Sequence, residues 1–148
     1  MAEMIYRLIP SSPDTLLPRD TVKAAVEYLK NALHTTDVIY VIAESPIFVD
    51  CGTELHQLRC PVCREPLSLR WWAECMGHAA ESDFRERSVL FPCCLKRGAL
   101  EEIEYIEPCG LASVIIEIRN TANLPDSEML NTLRCILGCD LRIIRAVY

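Results

Sequence analysis

The chain has 148 residues, of which 51% are hydrophobic and 24% are charged, with 21 acidic against 15 basic side chains. This length and composition suffice for a core, which excludes an intrinsically disordered protein and predicts a single domain over residues 1–148. The net charge of −6, without any Lys/Arg run, argues against a nucleic-acid partner.

The compartment is inferred from what the sequence lacks. The start, Met1-Ala2-Glu3-Met4, has no basic region followed by an apolar run, as a secretory signal would have. No stretch approaches the roughly 18–20 apolar residues that span a bilayer. We therefore expect a cytoplasmic protein with no membrane partner. In a reducing compartment the nine cysteines indicate metal or redox chemistry more than disulfide bonds.

The first third of the chain reads as strand, helix, strand. Residues 4–9 predict a strand that a Pro- and Ser-rich turn ends. Apolar side chains at helical spacing predict a helix over residues 20–33, with Asp20 as its N-cap. Residues 38–43 form a β-branched, apolar run that suits a buried strand, and residues 47–49 predict a further short strand.

The middle of the chain is cysteine-rich. After its first cysteine pair, Ser68 can cap a helix that runs to about residue 84. Residues 88–91 predict a short strand leading into a cysteine pair. Residues 100–106 and 111–119 predict the two strands of a hairpin, because Pro and Gly lie in the connection between them.

The last part repeats the order strand, helix, strand. Pro125 at a first-turn position opens a helix, and Gly138 follows the end of that helix as a C-cap. Residues 141–148 predict the final strand. The simplest assembly is an α+β fold: a mostly antiparallel sheet, about three helices on one face, and a zinc knuckle inserted as a segment of about residues 51–98.

Four cysteines have the arrangement of a metal site. Cys60-Pro61-Val62-Cys63 is a Cys-x-x-Cys turn, which presents two sulfurs to one point, and Cys93 and Cys94 follow thirty residues later. Zn²⁺ in structural sites prefers four thiolates in a tetrahedron. We therefore predict that Cys60, Cys63, Cys93 and Cys94 hold a structural Zn²⁺ ion.

The Cys60-Pro61-Val62-Cys63 segment resembles the knuckle of zinc-ribbon proteins, and the resemblance covers only these few residues. On a chain of this length we expect the metal to organise this local segment and not the whole fold, and an all-thiolate site has no open position for water, which argues against catalysis. The chain departs from that pattern at two places: Arg64 stands where a glycine is often found, and Cys93 and Cys94 are adjacent. Adjacent side chains can reach one ion only if the backbone turns sharply there.

Two alternative ligand sets stay open. Cys75 and His78 could replace the second pair, since residues three apart on a helix share a face. The Cys93/Cys94 set is favoured over this alternative because Cys75 neighbours an apolar stripe, where a free cysteine is an ordinary core residue. Cys51 is a reserve ligand on account of its closeness in sequence to Cys60.

The alternative chemistry is that of a dithiol oxidoreductase using Cys60 and Cys63. Thioredoxin-like proteins place such a motif at a helix N-terminus, where the helix dipole lowers the thiol pKa. Here Pro66 blocks a helix that starts at Cys60, which argues against this use. An unrecognised metal-dependent enzyme is the other alternative, although the common phosphate-loop, dinucleotide, zinc-protease and nucleophile-elbow motifs are absent.

The carboxylates of residues 101–107 admit two interpretations: a surface for a basic protein partner, or a strand edge that charge protects from pairing. With no catalytic motif in view, we expect a non-enzymatic protein-binding module with a structural zinc site. One concrete form is an inhibitor or immunity-type protein that masks a basic enzyme. The sequence identifies no particular partner.

Overall fold

A computed structural model of the chain describes residues 4–50, 56–107, 109–119 and 124–147. Three α-helices and nine strands lie in these ranges, and none of the three helices has the length and apolar character of a membrane span. In chain order the elements are β1 Met4–Pro10, α1 Arg19–Leu33, β2 Val38–Val49, β3 Leu58–Arg59, β4 Pro66–Leu67, α2 Leu69–Ala80, β5 Ser88–Leu90, β6 Arg97–Ala99, β7 Glu104–Tyr105, β8 Gly110–Arg119, α3 Ser127–Leu137 and β9 Leu141–Val147.

Four of the strands form the main sheet, in the order β2-β8-β1-β9, and every neighbouring pair is antiparallel. The sheet interleaves two units, β1-α1-β2 and β8-α3-β9, because each unit leaves a gap that a strand of the other fills. This is the split β-α-β connectivity of ferredoxin-like topologies. The α+β class and the mostly antiparallel pairing predicted from the sequence are confirmed.

The main core lies between this sheet and the helices α1 and α3. Helix α1 buries one stripe of side chains, and α3 contributes Leu133 and Leu137. The sheet contributes alternate residues such as Leu8 and Ile116, which lie opposite each other in the β1–β8 register. The stripe of α1 comprises Val22, Ala25, Val26 and Leu29.

The helix ends follow from local chemistry. The Asp126 carboxylate accepts a hydrogen bond from the backbone N–H of Met129 (2.8 Å), which caps α3. Gly138 ends α3 with a φ of 71°, the left-handed conformation that favours glycine, as predicted. At α1 the predicted cap is wrong: the helix begins at Arg19, so Asp20 lies in its first turn, where a negative charge is still favourable.

Residues 56–107, called here the intervening segment, connect β2 to β8 and have a core of their own. Sheet β4-β3-β7, hairpin β5-β6 and helix α2 surround buried side chains that include Leu58, Phe91 and Leu100. The ring of Trp72 in α2 packs edge-on against Phe48 of β2, with 5.4 Å between ring centroids. The intervening segment is therefore packed against the main sheet, and α2 is part of the intervening segment.

The predicted hairpin of residues 100–106 and 111–119 is wrong. Residues 100–102 form a 3₁₀ turn, β7 pairs with β3, and β8 pairs with β1 and β2. The reason lies in β8: nine of its ten residues are buried, so this strand needs a neighbour on each side. Pro108, in the predicted connection, falls outside the described residues.

Two further boundaries differ from prediction. The strands expected at 38–43 and 47–49 form the single strand β2, whose pairing with β8 shifts between Ile42 and Ile47. Helix α2 ends at Ala80 and not near residue 84, because Asp83 and Phe84 adopt left-handed φ values of 54° and 57°. The predicted cap of α2 is confirmed: the Ser68 hydroxyl accepts a hydrogen bond from the N–H of Trp71.

Candidate metal centre

The first cysteine pair lies on the turn of hairpin β3-β4, in residues 60–65 (the first turn). The N–H of Cys60 donates to the carbonyl of Glu65 (2.9 Å), and the N–H of Arg64 donates to the carbonyl of Cys60 (3.0 Å). The N–H of Val62 also points at the Cys60 Sγ atom, at 3.4 Å. Arg64 closes the turn with a φ of 66°, which explains why a glycine suits this position.

The second cysteine pair lies on the turn of hairpin β5-β6, in residues 91–96 (the second turn), which repeats the backbone pattern. The N–H of Phe91 donates to the carbonyl of Lys96 (3.0 Å), and the N–H of Leu95 donates to the carbonyl of Phe91 (2.8 Å). Leu95 has a φ of 58°. Phe91 thus occupies the position that Cys60 has in the first turn, and Cys94 occupies that of Cys63.

The two turns bring the four predicted sulfurs together, all within 4.8 Å of one another. The Sγ atoms of Cys60 and Cys94 are 3.7 Å apart, and those of Cys63 and Cys93 are 3.2 Å apart. A tetrahedral ion with Zn–S bonds of about 2.3 Å would separate its sulfurs by roughly 3.8 Å. The group could therefore hold a metal ion after small side-chain adjustments.

Burial and hydrogen bonding move the pKa values of Cys60 and Cys93 in opposite directions. Burial opposes ionisation of Cys60, but the backbone N–H groups of Cys63 and Val62 outweigh it and lower the pKa of Cys60 to about 7. The hydrogen bond that Cys93 shares with Cys63, together with burial, raises the pKa of Cys93 to about 12. Metal binding would release the protons of these thiols, because a metal ion takes thiolates as ligands.

The rival ligands lie elsewhere. Cys75 is half-buried in the core of the intervening segment, where burial raises its thiol pKa. The exposed His78 has its Nδ1 atom 3.5 Å from a carboxylate oxygen of Glu81. Neither side chain joins the four-cysteine group, which is the one cluster of three or more close metal-binding side chains in the described ranges. Cys51 falls outside the described residues.

The carboxylates of residues 101–107 are largely used within the protein. Glu101 pairs with Arg87 (3.0 Å), and Glu104 pairs with Arg64 of the first turn (2.7 Å). Glu107 accepts hydrogen bonds from two backbone N–H groups, which lower its pKa. The carboxylates of Glu101, Glu104 and Glu107 therefore connect parts of the intervening segment, whereas Glu102 is exposed.

Sequence reasoning found the four cysteines but missed the repeated turn that brings them together. The available signal was the proline in the second position of each turn, Pro61 and Pro92, which fixes φ where both turns begin. No protein-family model, curated protein or solved structure matches this chain.

Proposed function

We propose that this chain is a non-enzymatic protein-binding module whose intervening segment is held by a structural Zn²⁺ ion. The observation that carries the proposal is the convergence of Cys60, Cys63, Cys93 and Cys94 from two hairpins. Four thiolates are a ligand set that Zn²⁺ takes in structural sites, as in the zinc-ribbon proteins that the first turn resembles.

A structural role fits the dimensions of the two hairpins. Their strands β3, β4, β5 and β6 have only two or three residues each, and isolated hairpins of that size are not stable in water. An ion bound between the two turns would cross-link them through its coordination bonds. Four protein ligands would also leave no position for a water or substrate, which a catalytic zinc needs.

The oxidoreductase alternative has one feature in its favour: despite the burial of Cys60, hydrogen bonds from backbone N–H groups lower its pKa to about 7. A thiol that attacks a disulfide must also be accessible, and Cys60 has an exposed fraction of 0%. Cys63 is exposed, but its Sγ atom lies 3.2 Å from that of Cys93, within the four-sulfur group. Its turn lies between two strands and not at a helix N-terminus. We therefore place both thiols in metal binding and not in redox chemistry.

Metal analysis of protein purified without added zinc tests the metal centre. We expect about one Zn²⁺ per chain, lost on Cys60→Ser or Cys93→Ser but kept on Cys135→Ser, which changes an exposed cysteine of α3 outside the cluster. Cobalt substitution would give the spectrum of a tetrahedral thiolate site. A metal-free protein whose Cys60 and Cys63 cycle reversibly with a thiol reductant would instead establish the oxidoreductase.

The binding role is tested by comparing proteins retained by the immobilised zinc-loaded chain and by its Cys93→Ser variant. A partner specific to the zinc-loaded form supports the proposal, and an inhibitor or immunity-type protein would retain a basic enzyme, in keeping with the net charge of −6. Its retention should weaken as salt is added, because salt screens exposed charges. Enzymatic turnover by the purified chain would contradict the proposal.

A further inference from the structure

A groove of about 360 Å³ separates α2 from β5 in the intervening segment. Trp71, Glu74 and Cys75 of α2 form one wall, and β5 forms the other. All three residues of β5 line the groove. Because successive side chains of a strand point to opposite faces, lining by three consecutive residues is what a strand edge turned to the groove would give.

On that edge, β5 has no partner strand among the described residues. Strand β5 pairs only with β6 among the described strands, with Val89 opposite Gly98. The flanking hydrogen bonds start at Leu100 N–H, to Arg87, and at Phe91 N–H, to Lys96.

Since hydrogen-bonded pairs alternate along an antiparallel ladder, Val89 is bonded to β6, and the N–H and C=O groups of Ser88 and Leu90 point away from it. An edge of this kind can accept another strand.

The charge of the groove indicates which side chains a bound strand would carry. Its lining includes Glu74 and Glu86 but no Lys or Arg. The nearest cation to Glu74 is Arg70, at 3.7 Å, and both side chains are largely exposed, so this pair is weak. The indole of Trp71 adds an aromatic surface that attracts a cation.

We infer that this groove binds an extended, basic segment of a partner protein. The segment adds to β5 as a further strand through the backbone groups of Ser88 and Leu90, and it places lysine or arginine side chains beside Glu74, Glu86 and Trp71. Addition of a strand to an exposed edge is a common mode of peptide recognition, in which backbone bonds give affinity and side chains give specificity. The inference rests on the proposed binding role and specifies the partner's chemistry.

The backbone part is tested with a fluorescent peptide of alternating lysine and valine, whose anisotropy is titrated with the zinc-loaded protein. Ser88→Pro removes an N–H that faces away from β6, so the hairpin should survive while the peptide binds at least roughly fivefold more weakly. The same peptide, N-methylated at alternate positions, removes the matching bonds from the ligand and should weaken binding to the unaltered protein. Equal affinity for both peptides would overturn the inference.

The charge part is tested with Glu74→Gln together with Glu86→Gln. We expect a loss of roughly threefold to tenfold in affinity, that of two exposed charge pairs, which added salt should abolish. The matched control, Glu44→Gln with Glu128→Gln, changes the net charge equally at exposed sites of β2 and α3 and should leave binding unchanged.

The failures of the two proposals are distinguishable. If the zinc-loaded chain retains a partner protein equally well with Ser88→Pro and with the Glu74/Glu86 double variant, the groove inference is wrong and the binding role stands. If the chain binds neither a protein nor the lysine-valine peptide, both are wrong. A glutamate-valine peptide that binds as tightly as the lysine-valine peptide would also overturn the charge argument.

Discussion

Gly98 lies against the buried ring of Phe91, and this contact gives a sharp test of packing in the intervening segment. A Cβ atom added at Gly98 would lie 2.6 Å from Cε2 and 2.9 Å from Cζ of Phe91, closer than non-bonded carbon atoms approach each other in proteins. Phe91 has an exposed fraction of 0% and packs beside Trp71, so its ring has little room to move. We expect Gly98→Ala to lower the free energy of unfolding by about 1–3 kcal/mol.

A double-mutant cycle separates this clash from other effects of an added methyl group. Leucine has no atoms at the positions of Cε2 and Cζ, so Phe91→Leu removes the clash at its own cost in packing. Gly98→Ala should therefore cost less in the Phe91→Leu protein than in the unaltered one, with a coupling energy of about 0.5–3 kcal/mol. Equal costs in the two backgrounds would refute the reasoning.

Urea unfolding of the protein, followed by tryptophan fluorescence, measures each of the four variants of the cycle. Both tryptophans of the chain, Trp71 and Trp72, lie in α2, so the signal reports on the intervening segment. Gly77→Ala is the matched control, because a Cβ at this α2 residue would have no heavy atom within 4 Å apart from its chain neighbours and the backbone of α2. It should raise stability by up to about 1 kcal/mol through helix propensity.

Three further predictions follow from single contacts. Tyr105→Phe leaves an indole N–H (3.3 Å) and a backbone carbonyl (2.8 Å) without their hydroxyl partner, which should cost about 1–3 kcal/mol in urea unfolding; no loss would contradict the hydrogen bonds. Leu95→Gly should raise the free energy of unfolding slightly, by up to about 1 kcal/mol, because the exposed Leu95 has a left-handed φ of 58° that glycine adopts freely; a decrease would mean that its side chain packs in solution. The guanidinium of Arg134 lowers the pKa of Asp140 below its ordinary value, so this carboxylate stabilises the fold above its unfolded-state pKa and less so as the pH falls below about 4. Asp140→Asn should therefore lower stability at pH 7 and lose its effect in acid; an equal effect at both pH values would contradict the ion pair.

The parts of the fold predicted from the sequence are those that a local pattern determines. The helical spacing of apolar residues in α1 and α3 reflects the one face that each helix buries, and Gly138 marks a backbone conformation that few other residues adopt. Strand partners are different. The Pro-Cys-Gly turn signal suggested that β8 folds back on residues 100–106, but pairing depends on which strands can cover a strand buried over its whole length. That is a property of the assembled sheet and has no local signature.

The four cysteines could be predicted because few residue types serve as ligands in a structural metal site, and because these four occur as two close pairs along the chain. What the spacing could not show was how the adjacent Cys93 and Cys94 reach one point. In the first turn the sulfurs come from its first and fourth positions, Cys60 and Cys63; in the second they come from its third and fourth positions. A search for Cys-x-x-Cys pairs alone misses this arrangement.

The difference between the two turns has a physical reason in what fills the first position of each. Cys60 and Phe91 both have an exposed fraction of 0%, so each turn fixes its first residue in the core of the intervening segment. In the first turn that buried residue is also a candidate ligand, so packing and metal binding depend on the same side chain. In the second turn the ring of Phe91 supplies only packing, with Gly98 leaving room for it, and the remaining sulfur comes from Cys93 at the exposed surface. Both turns are therefore anchored by a buried first residue, but an ion bound at the four sulfurs would hold the first turn through that residue, Cys60, and the second turn only through Cys93 and Cys94.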